Sequence, residues 1–132
     1  MATIKRFEDL EIWQLAREYA KSIRNLTLED KFSKEFKFKD QIKDSAGSVM
    51  DNIAVGYGRA SRLEFINFPG IANGSLGESK SQLYRAVDYG VLAIEAFNAH
   101  YEMAEKISAK ILAFIEYLNN FTVKGAKFKG RK

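Results

Sequence analysis

Apolar residues recur along this chain every three or four positions, the spacing that gathers them on one face of an α-helix. Ile12, Leu15, Ala16, Tyr19, Ile23 and Leu26 predict a first helix over 9–26. Trp13 and Leu10 widen its stripe, and a polar link follows from Thr27 to about Glu35. Phe38, Ile42, Ala46, Val49 and Ile53 predict a second helix over 36–57. The small run Ser45-Ala46-Gly47-Ser48 suits close approach of a neighbouring helix. Gly56-Tyr57-Gly58 reads as the stop, with a glycine in the left-handed conformation. Phe65, Phe68, Ala72, Leu76, Ser79, Leu83 and Ala86 predict a third helix over 61–88. It opens on Ser61-Arg62-Leu63-Glu64, a capping-box pattern in which serine and glutamate satisfy each other's free N–H groups.

Pro69 interrupts that stripe, and the missing N–H predicts a kink rather than a break. Gly70, Gly74 and Gly77 each weaken a helix by roughly 1 kcal/mol relative to alanine, which predicts a compensating close contact. Asp88-Tyr89-Gly90 reads as a tight turn. Ile94, Phe97, Tyr101, Ala104, Ile107, Ile111, Phe114 or Ile115, and Leu118 carry a fourth helix over 91–122. No alternating strand pattern competes. Short links favour antiparallel neighbours, so the expected fold is all-α, an antiparallel up-and-down four-helix bundle over 1–122. A basic, flexible tail is expected over 123–132.

Composition narrows the setting. The 132 residues, 46% apolar and 29% charged, suit one globular domain. The chain has no cysteine, which excludes disulfides and thiolate metal sites and is compatible with a reducing cytoplasm. The opening MATIKRFEDLEIW does not read as a signal peptide, and no run of about 18 apolar residues suggests a membrane span. The glycosylation-type triplets at Asn25, Asn73 and Asn120 therefore read as chance. The net charge is +4, but Lys124, Lys127, Lys129, Arg131 and Lys132 contribute five positive charges and leave −1 for the rest. A body so nearly neutral argues against a broadly cationic face, while the tail could serve as a basic arm.

Candidate chemistry is sparse. His100 is the sole histidine, with no serine or acid in a motif relation to it, and one imidazole does not make a metal site. Glu95, Glu102, Glu105 and Glu116 lack the Glu-x-x-His arrangement of di-metal bundles and read as a solvated face. Gly56-Tyr57-Gly58 lacks the Lys-Ser/Thr ending and preceding strand of a phosphate loop. Gly70-x-x-x-Gly74 matches a membrane dimer motif in form only. No catalytic residue, metal site or cofactor is expected. The aromatic content, 13%, leaves two readings open: a core built from large side chains, or a second apolar stripe facing other subunits. Ile66, Ile71 and Tyr84 make the third helix apolar on more than one face, in favour of the second. Asn52, at the core edge of the second helix, is expected to tie its end to the link or to the third helix. Phe128 among the tail lysines fits either a solvated charge run or a grip on single-stranded nucleic acid.

Several of these residues also carry a family resemblance. Phe7, Leu10 and Trp13-Gln14 match an opening pattern; Gln41-Ile42, Ser48, Asn52-Ile53-Ala54, Gly56, Gly58 and Arg59 match a middle one. Glu64-Phe65, Phe68, Ile71-Ala72, Gly74-Ser75-Leu76, Glu78 and Leu83 match a third. Over about residues 7–118 the chain resembles the bacterial four-helix bundle proteins named after 23S ribosomal RNA intervening sequences. The accessory variability determinant of diversity-generating retroelements is similar. The resemblance implies a barrel-like homopentamer without enzymatic activity. It also implies nucleic-acid binding in some members and a reverse transcriptase as partner in the retroelement member.

The chain departs from that pattern. Lys43-Asp44 stands where paired arginines are common, Met50 where proline is, Val55 where glutamate is, and Pro69 where leucine is. Asp44 weakens the case for nucleic-acid contact through the second helix. The functional expectation is a non-enzymatic, cytoplasmic homo-oligomer that acts as an RNA- or DNA-binding accessory protein. The alternative is a protein–protein scaffold partnering a polymerase-like or other enzyme. Candidate nucleic-acid contacts are Lys124, Lys127, Lys129, Arg131, Lys132, Arg59 and Lys43.

Overall fold

A computed structural model describes residues 5–58 and 62–130, with side chains over 5–58 and 67–120. Four helices account for most of it: α1 (Glu11–Thr27), α2 (Phe36–Gly58), α3 (Arg62–Asp88) and α4 (Ile94–Gly130). Among the described residues there is no strand. Each helix packs on its chain neighbours, and α4 closes the bundle against α1. Side-chain ties show the directions. Ser45 and Ser48 of α2 bond Gln82 and Ser75 of α3, so the numbers run oppositely. Asn73 and Lys80 of α3 meet Ser108 and Glu105 of α4, and Glu11 and Ser22 of α1 meet Lys110 and His100. Every adjacent pair so tied is antiparallel, as up-and-down connection demands.

Most of the predicted stripe positions are buried. Ile94, read as the first of the α4 stripe, is instead 53% exposed at the helix start, and Leu15, Tyr101 and Leu118 are only half-buried. Ile12, Ala16, Tyr19, Ile23 and Leu26 of α1 face Phe38, Ile42, Ala46, Val49 and Ile53 of α2 across one core. Ala72, Leu76, Ser79, Leu83 and Ala86 of α3 and Phe97, Ala104, Ile107 and Ile111 of α4 complete it. Such positions recur at 3.6-residue periodicity, so one face of each helix leaves water. α3 continues through Pro69, whose ring is itself buried. The capping-box Ser61 and the side chains of Arg62, Glu64 and Phe65 lie outside the described residues.

Four local readings need correction. The 27–35 link is not merely polar: a 3-10 turn, Phe32–Lys34, drives Phe32 fully into the core, stacked 5.5 Å from Phe38. Gly56 and Gly58 are helical, and among the described residues only Gly90 has a positive φ, +74°. There the amides of Gly90 and Val91 bond the carbonyls of Val87 and Ala86, the paired bonds of a Schellman turn. The true left-handed stop therefore closes α3, and α4 begins at Ile94, three residues later than the periodicity suggested. Finally, Gly70, Gly74 and Gly77 lie on the exposed face of α3, where an added Cβ would meet nothing within 4 Å. Among the described residues no contact offsets their helix-weakening cost.

One buried polar pair ties α1 to α3: Tyr19 Oη and Ser79 Oγ lie 2.7 Å apart, both residues wholly shielded from water. Burial disfavours the phenolate and pushes the Tyr19 pKa from 10.0 to about 12, against a smaller opposite effect of the Ser79 bond. Tyr19→Phe or Ser79→Ala each orphans a buried hydroxyl and is expected to cost about 1–3 kcal/mol. The double variant should lose clearly less than the sum, as denaturant titrations of all four proteins would measure. The raised pKa adds a pH signature with a definite sign. The neutral phenol is the form that folds, so its contribution is complete below pH 10 and is lost as pH rises towards about 12. Tyr19→Phe should flatten the alkaline limb of the stability profile.

Candidate functional site

The α2–α3 seam brings several of the motif residues together. Asn52 donates its amide to the Ser48 carbonyl and hydroxyl, both at 2.8 Å, and Ser48 Oγ lies 3.0 Å from Ser75 Oγ. Asn52 thus reaches α3 through Ser48, and the tie expected of it is made one turn back inside its own helix. One heptad earlier, Ser45 Oγ donates to Gln82 Oε1 at 2.5 Å and lies 3.1 Å from the Ile42 carbonyl. These polar contacts run beside the buried Ala46, Val49 and Leu76. Small hydroxyl residues at Ser45, Ser48 and Ser75 let both helices carry hydrogen bonds without spreading apart. Gly74 is not part of this contact, since it faces outward.

The candidate nucleic-acid contacts scatter. Lys43 is half-exposed on α2, and its ammonium lies 3.4 Å from the Asp40 carboxylate one turn away. That local pair screens part of the charge a phosphate would need. Arg59, Arg131 and Lys132 lie outside the described residues. Lys124, Lys127 and Lys129 fall on the last turns of α4, whose backbone helix runs on to Gly130, past the Thr122 end read from periodicity.

The structure reveals a pairing the sequence pattern did not. Ser22 Oγ lies 2.6 Å from His100 Nε2, although the two residues are 78 positions apart. His100 Nδ1 lies 2.7 Å from the Ala96 carbonyl, which can only accept, so Nδ1 carries the proton and Nε2 accepts from the serine. This is the hydrogen-bond order of a nucleophile and its base. The surroundings do not extend it. The orienting group is a backbone carbonyl rather than a carboxylate, and both residues sit within helices whose amides are committed to helical bonding. No oxyanion donors are therefore supplied by the flanking backbone. The pair reads as a tie between α1 and α4, and the only hint in the sequence was a polar residue beside Ile23 at the edge of the α1 stripe.

Elsewhere, charged residues pair on the surface. Lys80 meets Glu105 at 3.1 Å and lies 5.0 Å over the Tyr101 ring, beside a cluster in which Tyr84 and Phe97 centroids are 4.7 Å apart. Phe97 is core, whereas Tyr84 is 54% exposed, so the aromatic excess serves both the core and the surface. Among the described residues no three His, Cys, Asp or Glu side chains gather as a metal site. No helix there is long and apolar enough to cross a membrane. A fluorophosphonate probe is expected to leave Ser22 unlabelled under conditions that label an ordinary serine hydrolase to completion, read by intact-protein mass spectrometry. Stoichiometric labelling abolished by His100→Ala would show an activated serine instead.

The fold has a solved counterpart. A protein of unknown function from the S23 ribosomal protein family of Bacteroides thetaiotaomicron superposes with a TM-score of 0.72 at 22% identity, covering 79% of this chain and 97% of that one. At that identity the likeness speaks for the fold alone. No curated protein matches the chain. The family described as 23S rRNA-intervening sequence protein matches residues 8–113, which take in all of α1, α2 and α3 and most of α4. The chain belongs to that family.

Proposed function

We propose that this protein is a non-enzymatic bundle that works as a homo-oligomer, a pentamer by family resemblance, and binds RNA or DNA as an accessory protein. The observation that carries the self-association is the outer face of α3. Gly70, Gly74, Gly77 and Ser81 line up there one turn apart, all exposed, with Ile71 51% and Tyr84 54% exposed on either side. A helix that accepts three glycines weakens itself by roughly 1 kcal/mol at each. Packing among the described residues recovers none of this, because nothing there lies within 4 Å of where the side chains would be. A flat surface flanked by exposed apolar groups is what a second helix needs to approach closely.

Light scattering should then give about five times the 15.0 kDa chain mass. Gly70→Ala with Gly74→Ala and Gly77→Ala should keep the helical circular-dichroism spectrum, because each added methyl has room. It should also shift the mass towards the monomer. A triple variant that assembles like the parent would remove the glycine face from the interface.

Nucleic-acid attraction is assigned to the C-terminal cations. The rest of the chain carries a formal −1 and Lys43 is paired, whereas residues 124–132 carry +5 without an acid. Binding of this kind releases counterions, is indifferent to base sequence and falls with salt; five phosphates neutralised give a logarithmic slope of about −4. Deleting 124–132 should preserve the oligomer while removing most affinity for a mixed-sequence oligonucleotide and flattening the slope. The near-neutral body favours the second reading, a protein–protein scaffold. An intact protein that fails to bind the oligonucleotide at low salt would select it.

A further inference from the structure

At one end of the bundle the Phe32–Lys34 turn, the start of α2 and the close of α3 meet around an open groove of about 550 Å³. Its lining sets Lys34, Lys37 and Arg85 against a single carboxylate, Glu35. This differs from the body as a whole, which carries a formal −1 without residues 124–132. Among the described residues neither Lys34 nor Lys37 has an acidic partner. The first turn of α2 holds no acid, and Asp40 beyond it is taken by Lys43 at 3.4 Å. Arg85 bonds the Tyr89 hydroxyl through Nε and Nη2, at 3.2 and 3.0 Å, which leaves Nη1 without a partner among the described residues.

The rings among these cations are the second observation. Phe36, the first residue of α2, is 71% exposed, the most exposed large apolar side chain among the described residues. The core uses its neighbours Phe32 and Phe38 and makes no use of Phe36. Lys39 Nζ lies 5.3 Å from the Phe36 centroid, so the ring has a cation of its own beside it. Tyr89 is 49% exposed, yet it is held edge-on against Phe38 at 5.2 Å and by the bonds from Arg85. A ring fixed in place while open to water needs little further ordering when something stacks on it.

We infer that this groove is a contact for single-stranded nucleic acid, with bases stacking on Phe36 and Tyr89 and phosphates drawn to Lys34, Lys37 and Arg85. Every base offers a π-face and every nucleotide a negative charge, so exposed rings interleaved with cations grip an unpaired strand whatever its sequence. The cations stand on both walls of an open groove, which suits a strand laid along it. This contact presupposes the nucleic-acid binding proposed above. It adds to the base-blind attraction of the tail a part that depends on the bases.

The test titrates the full chain, by fluorescence anisotropy at low salt, with a labelled oligothymidine and with an abasic strand of equal length, which keeps the phosphates and lacks the bases. Oligothymidine should bind at least about fivefold more tightly, the worth of one stacked base. Phe36→Ala should remove most of that preference and leave the abasic affinity unchanged. Because the ring is exposed, the variant should keep the parent's circular-dichroism spectrum and mass. Lys34→Gln with Lys37→Gln should weaken both strands and flatten the salt slope by about 1.4, two phosphates on a single strand. Lys21→Gln with Lys106→Gln, the same charge removed from α1 and α4, should flatten it less. Equal affinity for the two strands, or a preference that survives Phe36→Ala, would overturn the inference while leaving tail-borne binding in place. Failure of both strands to bind would overturn it together with the reading beneath it. Competition by polyglutamate as effective as by oligothymidine of matched charge would show a general anion surface, and a change of mass in Phe36→Ala would give the ring to contacts between copies; either result overturns it as well.

Discussion

The bundle depends on hydrogen bonds that have to be made inside it. Apolar stripes alone allow four helices to slide by a turn or rotate by a few tens of degrees at little cost, because one aliphatic layer resembles the next. A hydroxyl or amide in the same layer removes that freedom, since misregister leaves it buried without a partner. Tyr19 with Ser79 fixes α1 against α3, and Ser45 with Gln82 fixes α2 against α3. Both pairs lie within one turn of each other on α3. That helix is accordingly the reference against which the other three are set, with Asn73–Ser108 extending the same logic to α4.

The end of the bundle around Phe32 is held differently. Phe38 is stacked on Phe32, meets the Tyr89 ring edge-on at 5.2 Å, and carries the Arg85 guanidinium on its surface. The Schellman turn at Gly90 brings Tyr89 to that position. A left-handed residue costs roughly 1–2 kcal/mol unless it is glycine, so the backbone of one residue decides whether the aromatic end closes. The bonds from Arg85 to Tyr89 then anchor the cation at this end.

What was legible in the sequence follows from the range of each interaction. The helices and their buried faces were readable because 3.6-residue periodicity is local and repeated: the stripes proposed for α1 and α2 appear in the core nearly residue for residue. Contacts between helices were not, because no spacing rule links Ser22 to His100 or Ser45 to Gln82. The glycine misreadings are instructive for the same reason. Gly56-Tyr57-Gly58 looked like a stop because two glycines stand close together, yet Gly56 is buried within α2, whereas lone Gly90 takes the left-handed turn. Glycine marks where the backbone is free to do something, and only the surrounding structure says whether that freedom is used. For Gly70, Gly74 and Gly77 a close contact was expected inside the chain, and the open face shows that the chain itself does not provide one.

The distribution of these features over α3 separates what the fold requires from what it leaves open. The inner face, Ala72, Leu76, Ser79, Leu83 and Ala86, is constrained by volume and by hydrogen-bond satisfaction, and it is answerable only to the other three helices. A chain only 22% identical shares the fold. The outer face carries Gly74, Glu78 and Ser81, none of which the core needs, so substitutions there cost the fold little. Asp44 on α2 is of the same kind: it is exposed, and a substitution at such a helical position changes stability by a few tenths of a kcal/mol at most. Substitutions on such faces can therefore change what the surface offers without changing how the chain folds.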